Sequence, residues 1–374
     1  GVPVTVTGEE AFGAISTRVE GHRDLNPSVD PETYLRDLNG AAGQGISLGI
    51  IHVSTAVGGL RPVEVDLRDA WTLQDICDAF AAQADLSVGI DASGHALVVQ
   101  ELNGQVITIS DPSGGRTARD LGLEMVFTGP GSQSGGDLDR RLTEHTPISA
   151  LDFELGSLRL SNGFESRDLD VSGVETIREL CQLVADQDLG IRLEISDSED
   201  RLDAVNLRSG SLMSIGETPD GVTATNLGIR SLDRETRLDD FNRGLGVSIR
   251  SGSIDPVSGG LDPARDRDLA ITLSNGERFE VDLAGALTVG DVLDRLTEAA
   301  ASLSNPNLFA AGLASTGNGI ALQDLSGGAD GFFVENLNGS TAAEDLGLPV
   351  GTTGGGATIV GEDRARVAVE GIFT

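Results

Sequence analysis

The pattern of hydrophobic and polar positions recurs three times along the chain, each time around one short amphipathic helix. In the third copy the apolar side chains Val289, Val292, Leu293 and Leu296 fall on one helical face. A threonine stands directly before each helix and an acidic residue follows three positions later, which is the arrangement of a capping box. These pairs are Thr72 with Asp75, Thr176 with Glu179, and Thr288 with Asp291. The sequence therefore predicts three equivalent helices, each stabilised at its N-terminus by its own acid.

Runs typical of β-strands flank each predicted helix. A strand and its partner precede the helix, and Asn275-Gly276 between two such strands is a strong hairpin signal. A second hairpin and a last strand follow the helix. The clearest runs are 46–53, 88–99, 105–110, 157–160, 269–273, 279–283 and 331–335. We therefore expect an α+β fold of three small serial modules, each a mostly antiparallel sheet covered by one helix.

The two ends of the chain also have extended patterns. We expect 2–14 and 357–374 to pair, which forms a base that places the termini side by side. The Gly-, Ser- and Pro-containing stretch 128–137 is expected to link the first two modules. The predicted division is an extended segment (1–32), module 1 (33–127), module 2 (138–230), module 3 (236–348) and a return segment (349–374).

Two further motifs mark the modules at matching places. Thirteen residues in the middle of each module align without a gap, and the third copy reads Val-Asp-Leu-Ala-Gly-Ala-Leu-Thr-Val-Gly-Asp-Val-Leu at 281–293. Each module closes on Leu-Gly followed by Leu or Ile, with the glycines at Gly122, Gly228 and Gly347. Repetition over such long intervals indicates one structural unit used three times.

The motif at 281–293, together with Thr-Ala-Ala-Glu-Asp-Leu-Gly at 341–347, resembles the motif repeated in the outer domains of flagellin-related proteins. Among these, the chain most resembles the hook–filament junction proteins of bacterial flagella, and the filament cap protein carries related modules. The segments 8–14 and 369–374 are similar to the places where such proteins leave and re-enter their helical core.

The resemblance implies a structural role outside the cell. Members of the family are exported through the flagellar secretion channel, polymerise through long terminal helices and face their middle domains outward. Those helices are missing from the sequence, which begins at Gly1-Val2-Pro3. We therefore expect a segment of a longer protein that is monomeric alone and whose partners are other flagellar subunits, bound through the missing helices.

The charge of the chain changes the list of conceivable partners. It carries 59 acidic and 26 basic residues, every basic one an arginine, for a net charge of −33. Such a charge repels phosphates, so we expect neither nucleic acid nor an anionic membrane surface as a partner. No run approaches the roughly 18 apolar residues of a membrane helix, so we expect no membrane insertion. A hydrophobic content of 39% is enough for folded cores.

No group of residues converges on a catalytic, cofactor or metal site. Cys77 and Cys181 align with Leu293, so packing on a buried helix face explains them better than thiol chemistry. Gly43-Gln44-Gly45-Ile46-Ser47-Leu48-Gly49 nearly matches a dinucleotide fingerprint but precedes a strand, not a helix. The four histidines occupy unrelated places without metal-ligand spacing: His22, His52, His95 and His145. We expect no enzyme and no cofactor.

Three other features have both a functional and a structural interpretation. The aspartate-rich runs 262–268 and 324–330 could bind calcium, although neither is a full calcium loop and turn chemistry explains them well. Asn338-Gly339-Ser340 has the form of a glycosylation sequon, but an Asn-Gly turn is the stronger interpretation. Trp71, the single tryptophan, aligns with Glu175 and Leu287, which indicates an exposed contact between modules or packing beside the helix start.

A hypothesis from another class stays open, namely an adhesin-like extracellular module that recognises carbohydrate or a host surface. Aromatic residues make up only 3% of the chain. Because sugar sites usually rely on aromatic faces, this composition argues against saccharide binding.

Overall fold

The computed structural model describes residues 18–55, 62–84, 86–208, 211–219, 221–242, 245–353 and 357–362. Three hydrophobic cores follow one another in this part of the chain. Module 1 packs around residues between Val29 and Leu138, and module 3 around residues between Leu232 and Ile359. The core of module 2 lies between Leu142 and Ile229, with Val19 added from far upstream. The predicted α+β class is confirmed.

Each module contains short antiparallel strands, one main helix and a four-residue helix near its end. Module 2 also receives β1 (Arg18–Val19) from the N-terminal side. Module 1 contains β2 (Ile50–Thr55), β3 (Val63–Asp66), α1 (Leu73–Ala84), β4 (Ser87–Ile90), β5 (Ala96–Glu101), β6 (Val106–Ser110), α2 (Thr117–Asp120), β7 (Met125–Thr128) and β8 (Gly131–Asp137). Module 2 contains β9 (Ser157–Asn162), β10 (Glu165–Asp170), α3 (Ile177–Ala185), β11 (Ile191–Ile195), β12 (Leu202–Asn206), β13 (Met213–Glu217) and α4 (Thr223–Asn226). Module 3 contains β14 (Leu269–Thr272), β15 (Arg278–Val281), α5 (Val289–Ala299), β16 (Phe309–Leu313), β17 (Ile320–Asp324), β18 (Phe332–Asn336), α6 (Ala342–Asp345), β19 (Gly351–Thr353) and β20 (Thr358–Val360).

The strands of each module form two small sheets where the sequence predicted one. In module 1 the strand orders are β3-β2-β6-β7 and β4-β5-β8, and in module 3 they are β15-β14-β18-β19 and β16-β17-β20. Module 2 has β10-β9-β13 and β1-β12-β11. The main helix packs over the strands beside it: α1 on β3 and β4, α3 on β11, and α5 on β15 and β16. The helix thus closes the core between the two sheets.

The helix starts follow the predicted capping chemistry. The Thr288 hydroxyl accepts from the Asp291 backbone N–H at 3.2 Å, and the Asp291 carboxylate accepts from the Thr288 N–H at 2.9 Å. Thr72 and Asp75 make the same two bonds at the start of α1. In module 2 the Thr176 hydroxyl also caps the helix, while the acid accepts from the residue before the cap.

One backbone arrangement beside the helix start is the same in every module. Each module begins with a segment that contains a threonine, here called the opening threonine: Thr33, Thr146 or Thr236. The residue after it pairs with the capping threonine, as Tyr34 does with Thr72. The first helical residue, here Leu73, donates its N–H to the carbonyl of the opening Thr33 at 3.1 Å. The bonds to Thr146 and Thr236 in the other modules are 3.1 and 2.9 Å long. The three opening segments are therefore structurally equivalent.

One edge strand of the three-stranded sheet is also equivalent in the modules: β8 in module 1, β1 in module 2 and β20 in module 3. These strands come from parts of the chain that the sequence analysis did not assign to the modules. Gly122, Gly228 and Gly347 each accept a backbone hydrogen bond from a residue in or shortly after the strand that completes one sheet of the module. In module 1 the donor is Gly136 of β8, which belongs to the module itself. In module 2 the donor is His22, because β1 fills the sheet edge at β12. Module 2 is therefore completed by the N-terminal segment.

This pairing makes module 1 an insertion into module 2. The chain enters along β12, continues through Leu25 into module 1, and returns to module 2 after β8. The stretch 128–137, expected to be a linker, contains β8, which pairs with β5. The interpretation as a linker was wrong because glycines suit close packing as well as flexibility. A Cβ on Gly135 would lie 2.5 Å from the Gly122 carbonyl oxygen.

The expected base of paired ends is only partly within the described residues. In the return segment β19 pairs with β18 and β20 pairs with β17, so both join the sheets of module 3. In the described part of the N-terminal segment, β1 joins module 2 and Val29 joins the core of module 1. The segments 2–14 and 363–374, where most of the pairing was expected, lie outside the described residues.

Candidate functional site

The joint between modules 2 and 3 is made by the turn between β16 and β17. This turn sets Gly317 against β13, where Gly317 donates to the Glu217 carbonyl at 2.7 Å and accepts from the Glu217 N–H at 3.0 Å. A Cβ on Gly216 would lie 2.6 Å from the Gly317 carbonyl oxygen, so glycine is required for this approach. The turn of module 3 thus covers an edge that β7 and β19 cover in the other modules.

Asn318 is the polar centre of this joint and is 0% exposed. Its amide nitrogen donates to the hydroxyl oxygens of Ser231 at 2.8 Å and Ser214 at 3.2 Å. Its carbonyl oxygen accepts from the Leu232 N–H at 3.0 Å. A buried polar side chain is tolerated only when its hydrogen bonds are made, and here one side chain bonds both module 2 and the linking segment.

Two buried charged side chains, Arg230 and Glu217, lie on the module 2 side of the joint. Arg230 donates to the Ala314 carbonyl at 2.8 Å. The Glu217 carboxylate accepts from the N–H groups of Ala224 and Thr225 at 3.2 and 2.7 Å, and from the Thr225 hydroxyl at 2.6 Å. Removing one partner from such a network leaves an uncompensated buried charge. The joint is therefore specific for one relative placement of the two modules.

The chain passes between modules 1 and 2 twice, once after Leu25 and once after β8, and these two segments contact each other at the joint. The Arg140 side chain is largely buried and donates to the Ser28 carbonyl at 2.6 Å. Arg141 donates to Asn39 of module 1 at 2.8 Å and forms an ion pair with Glu199 of module 2 at 3.1 Å. A guanidinium suits this position because its planar fork reaches two acceptors at once.

The capping carboxylates at the helix starts are the electrostatic feature common to the modules. Backbone hydrogen bonds from Leu287 and Thr288 lower the pKa of Asp291. The pKa of Asp75 is lowered by its own pair of backbone donors. Since the charged form is the one stabilised, these acids stay ionised and anchor the helix starts.

The predicted cysteine and histidine positions do not form a reaction centre. Cys77 and Cys181 are free, partly buried thiols packed against different cores. Burial raises the pKa of the Cys181 thiol to about 11. The four histidines are dispersed, and His22 lies 3.1 Å from a carboxylate oxygen of Asp233. Among the described residues no three His, Cys, Asp or Glu side chains are grouped as metal ligands would be.

The aspartate-rich runs and the Asn-Gly sequence take part in turns. Asp268 is buried and accepts from the Arg250 and Leu283 N–H groups at 2.8 and 3.0 Å. Burial raises its pKa. Asp324 accepts from two serine N–H groups in the same way. Asn338 has a φ of 53° and its amide donates to nearby carbonyls, which fits a turn residue.

The glycine-rich run 43–49 leads into β2, with Gly43 and Gly45 at positive φ. The following element is a strand, as expected, so the run lacks the helix N-terminus on which a dinucleotide fingerprint depends. Trp71 is 70% exposed and lines the same cleft as Tyr34, which is 47% exposed. Sequence reasoning noted Trp71 alone and missed both this neighbour and the role of Asn318, which looks like an ordinary turn residue in Gly-Asn-Gly.

Comparison with protein-family models and with curated proteins gave no match. Among solved structures, the crystal structure of the flagellar cap protein FliD from Helicobacter pylori is similar at 12% identity. The match covers 89% of this chain and 79% of that chain, with a TM-score of 0.15. Similarity at that level establishes neither a shared fold nor a shared function. None of the helices in the described residues is long and apolar enough to cross a membrane.

Proposed function

We propose that the chain is an outward-facing, non-catalytic structural segment of an extracellular bacterial flagellar protein of the hook-associated or flagellin-like type. The observation that carries the proposal is the thirteen-residue motif at 281–293, which resembles the outer-domain motif of that family and recurs twice more. All three copies occupy the same place, at the strand and cap that lead into the main helix.

The joints support a mechanical role. Buried side chains such as Asn318 and Arg230 resist hinge motion, because moving the modules apart would leave polar groups without partners. A series of modules joined in this way is stiff. Stiff modules mounted on a polymerising core can pack against neighbouring subunits and hold a fixed shape.

The surface charge fits a crowded assembly. A net charge of −33 keeps copies from associating without specific contacts. On this proposal the segment contributes no reaction and needs no cofactor, and other flagellar subunits are its partners through helices outside this sequence.

The test is a chromosomal in-frame deletion of the whole gene in the source bacterium, complemented from a plasmid. A hook-associated or filament protein is needed to build the filament. We expect loss of swimming in soft agar and loss of filaments by electron microscopy, both restored by the plasmid. Normal filaments and normal swimming in the deletion strain would overturn the proposal.

A further inference from the structure

The single tryptophan and the single tyrosine of the chain both line one cleft on the surface of module 1. The Leu35 N–H donates to the Trp71 carbonyl at 2.9 Å, which holds the backbone segment of Tyr34 alongside that of Trp71. Both side chains are exposed. Aromatic residues make up only 3% of the chain, so two of these few residues are at the surface and not in a core. Exposed aromatic residues gathered in one place are typical of binding surfaces.

The repeat itself shows that the fold does not require this pair. The equivalent residues are Pro147 and Glu175 in module 2, and Arg237 and Leu287 in module 3. The same backbone bridge and hydrogen bonds form in all three modules. The aromatic pair is therefore an addition to a preserved backbone, and a role outside folding accounts for it.

The two aromatic rings border a cleft of about 480 Å³, within the size range of small-molecule sites. Buried Leu35 and Leu38 contribute to its apolar lining. Its rim carries donors from Arg36, Arg68 and Arg141 and a carboxylate from Asp69. The cleft therefore joins apolar faces to several hydrogen-bonding groups.

Two of the guanidinium groups at the rim contact side chains of the same module. Arg36 lies 4.8 Å from the centre of the Tyr34 ring, in a cation–π contact that orients both side chains. Asp66 accepts from Arg68 Nε at 2.9 Å, and this guanidinium lowers the pKa of Asp66 to about 2. Donors that such contacts already orient bind a ligand at a lower entropic cost than donors without a partner.

We propose that the cleft bordered by Tyr34 and Trp71 binds a neutral saccharide, with one sugar ring against the indole of Trp71. A pyranose has one face of C–H groups, which suits the negative face of an aromatic ring, and an edge of hydroxyls, which suits the arginine and aspartate rim. The charge of −33 disfavours acidic ligands and a second copy of the chain through repulsion, whereas a neutral sugar experiences none. The low aromatic content argued against such a site, but the single Trp and Tyr are concentrated here.

The single tryptophan makes the test direct, because all tryptophan emission comes from the cleft. The whole chain is titrated with maltose, lactose, cellobiose and N,N′-diacetylchitobiose, and the labelled chain is applied to an array of neutral glycans. We expect a saturable blue shift of Trp71 emission with at least one of these sugars, and binding to related glycans on the array.

Two variants decide whether the cleft is responsible. Trp71→Leu carries the residue that module 3 has at this position, so it should fold, and its array signal should fall at least tenfold. Phe164→Leu alters a fully exposed aromatic residue in the turn before β10 and should bind like the unmodified chain. Circular dichroism confirms folding of both.

Three results would overturn the inference: no saccharide bound, binding unchanged in Trp71→Leu, or a blue shift that grows with protein concentration without sugar. The last result would assign the cleft to a second copy of the chain. None of them bears on the flagellar proposal, whose test is motility and filament assembly.

Discussion

Replacing Asn318 by alanine should separate the stabilities of modules 2 and 3 from that of module 1. The substitution leaves the buried Leu232 N–H without an acceptor, which costs about 1–3 kcal/mol. It also removes the bonds to two serine hydroxyls, each worth about 0.5–1.5 kcal/mol net. Ser231 keeps another bond, to Ile215, which limits the loss. The expected total is about 2–4 kcal/mol.

For a body the size of modules 2 and 3, each kcal/mol shifts the unfolding temperature by about 2–4 °C, so Asn318→Ala should lower it by about 4–16 °C. Thermal and urea unfolding are followed by far-ultraviolet circular dichroism and by fluorescence. Trp71 reports only on module 1, whose core is its own, and its transition should stay in place. This combination of a moved and an unmoved transition is specific to damage at the joint.

The matched control is Asn307→Ala, a change at an exposed asparagine of the same module. It should alter stability by less than about 0.5 kcal/mol. If Asn318→Ala and Asn307→Ala unfold alike, the buried network does not hold the joint. If the fluorescence transition falls together with the circular dichroism transition, the modules are not separable as argued.

Three further predictions test other parts of the structure. Gly21→Ala would place a Cβ 2.1 Å from the Leu202 carbonyl oxygen, so backbone hydrogen exchange should speed up in module 2. The control Gly89→Ala, whose Cβ meets no atom within 4 Å, should leave exchange unchanged. Equal protection in both variants would refute the assignment of β1 to module 2. With a pKa of about 11, Cys181 is roughly 1% thiolate at pH 9. Its alkylation by iodoacetamide, measured by mass spectrometry, should therefore be many times slower in folded than in urea-unfolded protein. Equal rates would contradict the burial of this thiol. Because the pKa of Asp291 is depressed on folding, its stabilising effect is present above the ordinary value of 3.8 and is lost as pH falls through the folded value. The acid-induced drop in the urea midpoint of unfolding should therefore be smaller in Asp291→Asn. An unchanged drop would show that this carboxylate does not contribute to the loss of stability in acid.

Local chemistry in the sequence predicted the repeated elements well. The threonine and acid spacing located the starts of α1, α3 and α5, and Asn275-Gly276 located the hairpin between β14 and β15. These signals lie within a few residues of the structure they specify, so single-sequence reasoning can detect them. The α+β class followed from them.

The sequence did not reveal which strand completes which module. β1 is two residues long and pairs with β12 at a separation of nearly two hundred residues, and no periodicity links such distant segments. The interpretation of 128–137 as a linker failed for a related reason, since a glycine that permits close packing looks the same as one that permits flexibility.

The candidate site was hidden for a different reason. Asn318 lies in a Gly-Asn-Gly turn, which is typical of an exposed hairpin, and only the neighbouring module buries it. Tyr34 and Trp71 are 37 positions apart in sequence and become neighbours through the bridge between the opening segment and the helix start. Both cases depend on contacts formed after the local elements exist.

The proposed flagellar role is tested most directly by locating the protein on the cell. Antibodies raised against this segment are applied to intact cells of the source bacterium and visualised by immunogold electron microscopy, with the gene-deletion strain as control. The account predicts gold particles on the flagella and none on the deletion strain. Particles spread over the cell body with unlabelled flagella would contradict it and favour an adhesin.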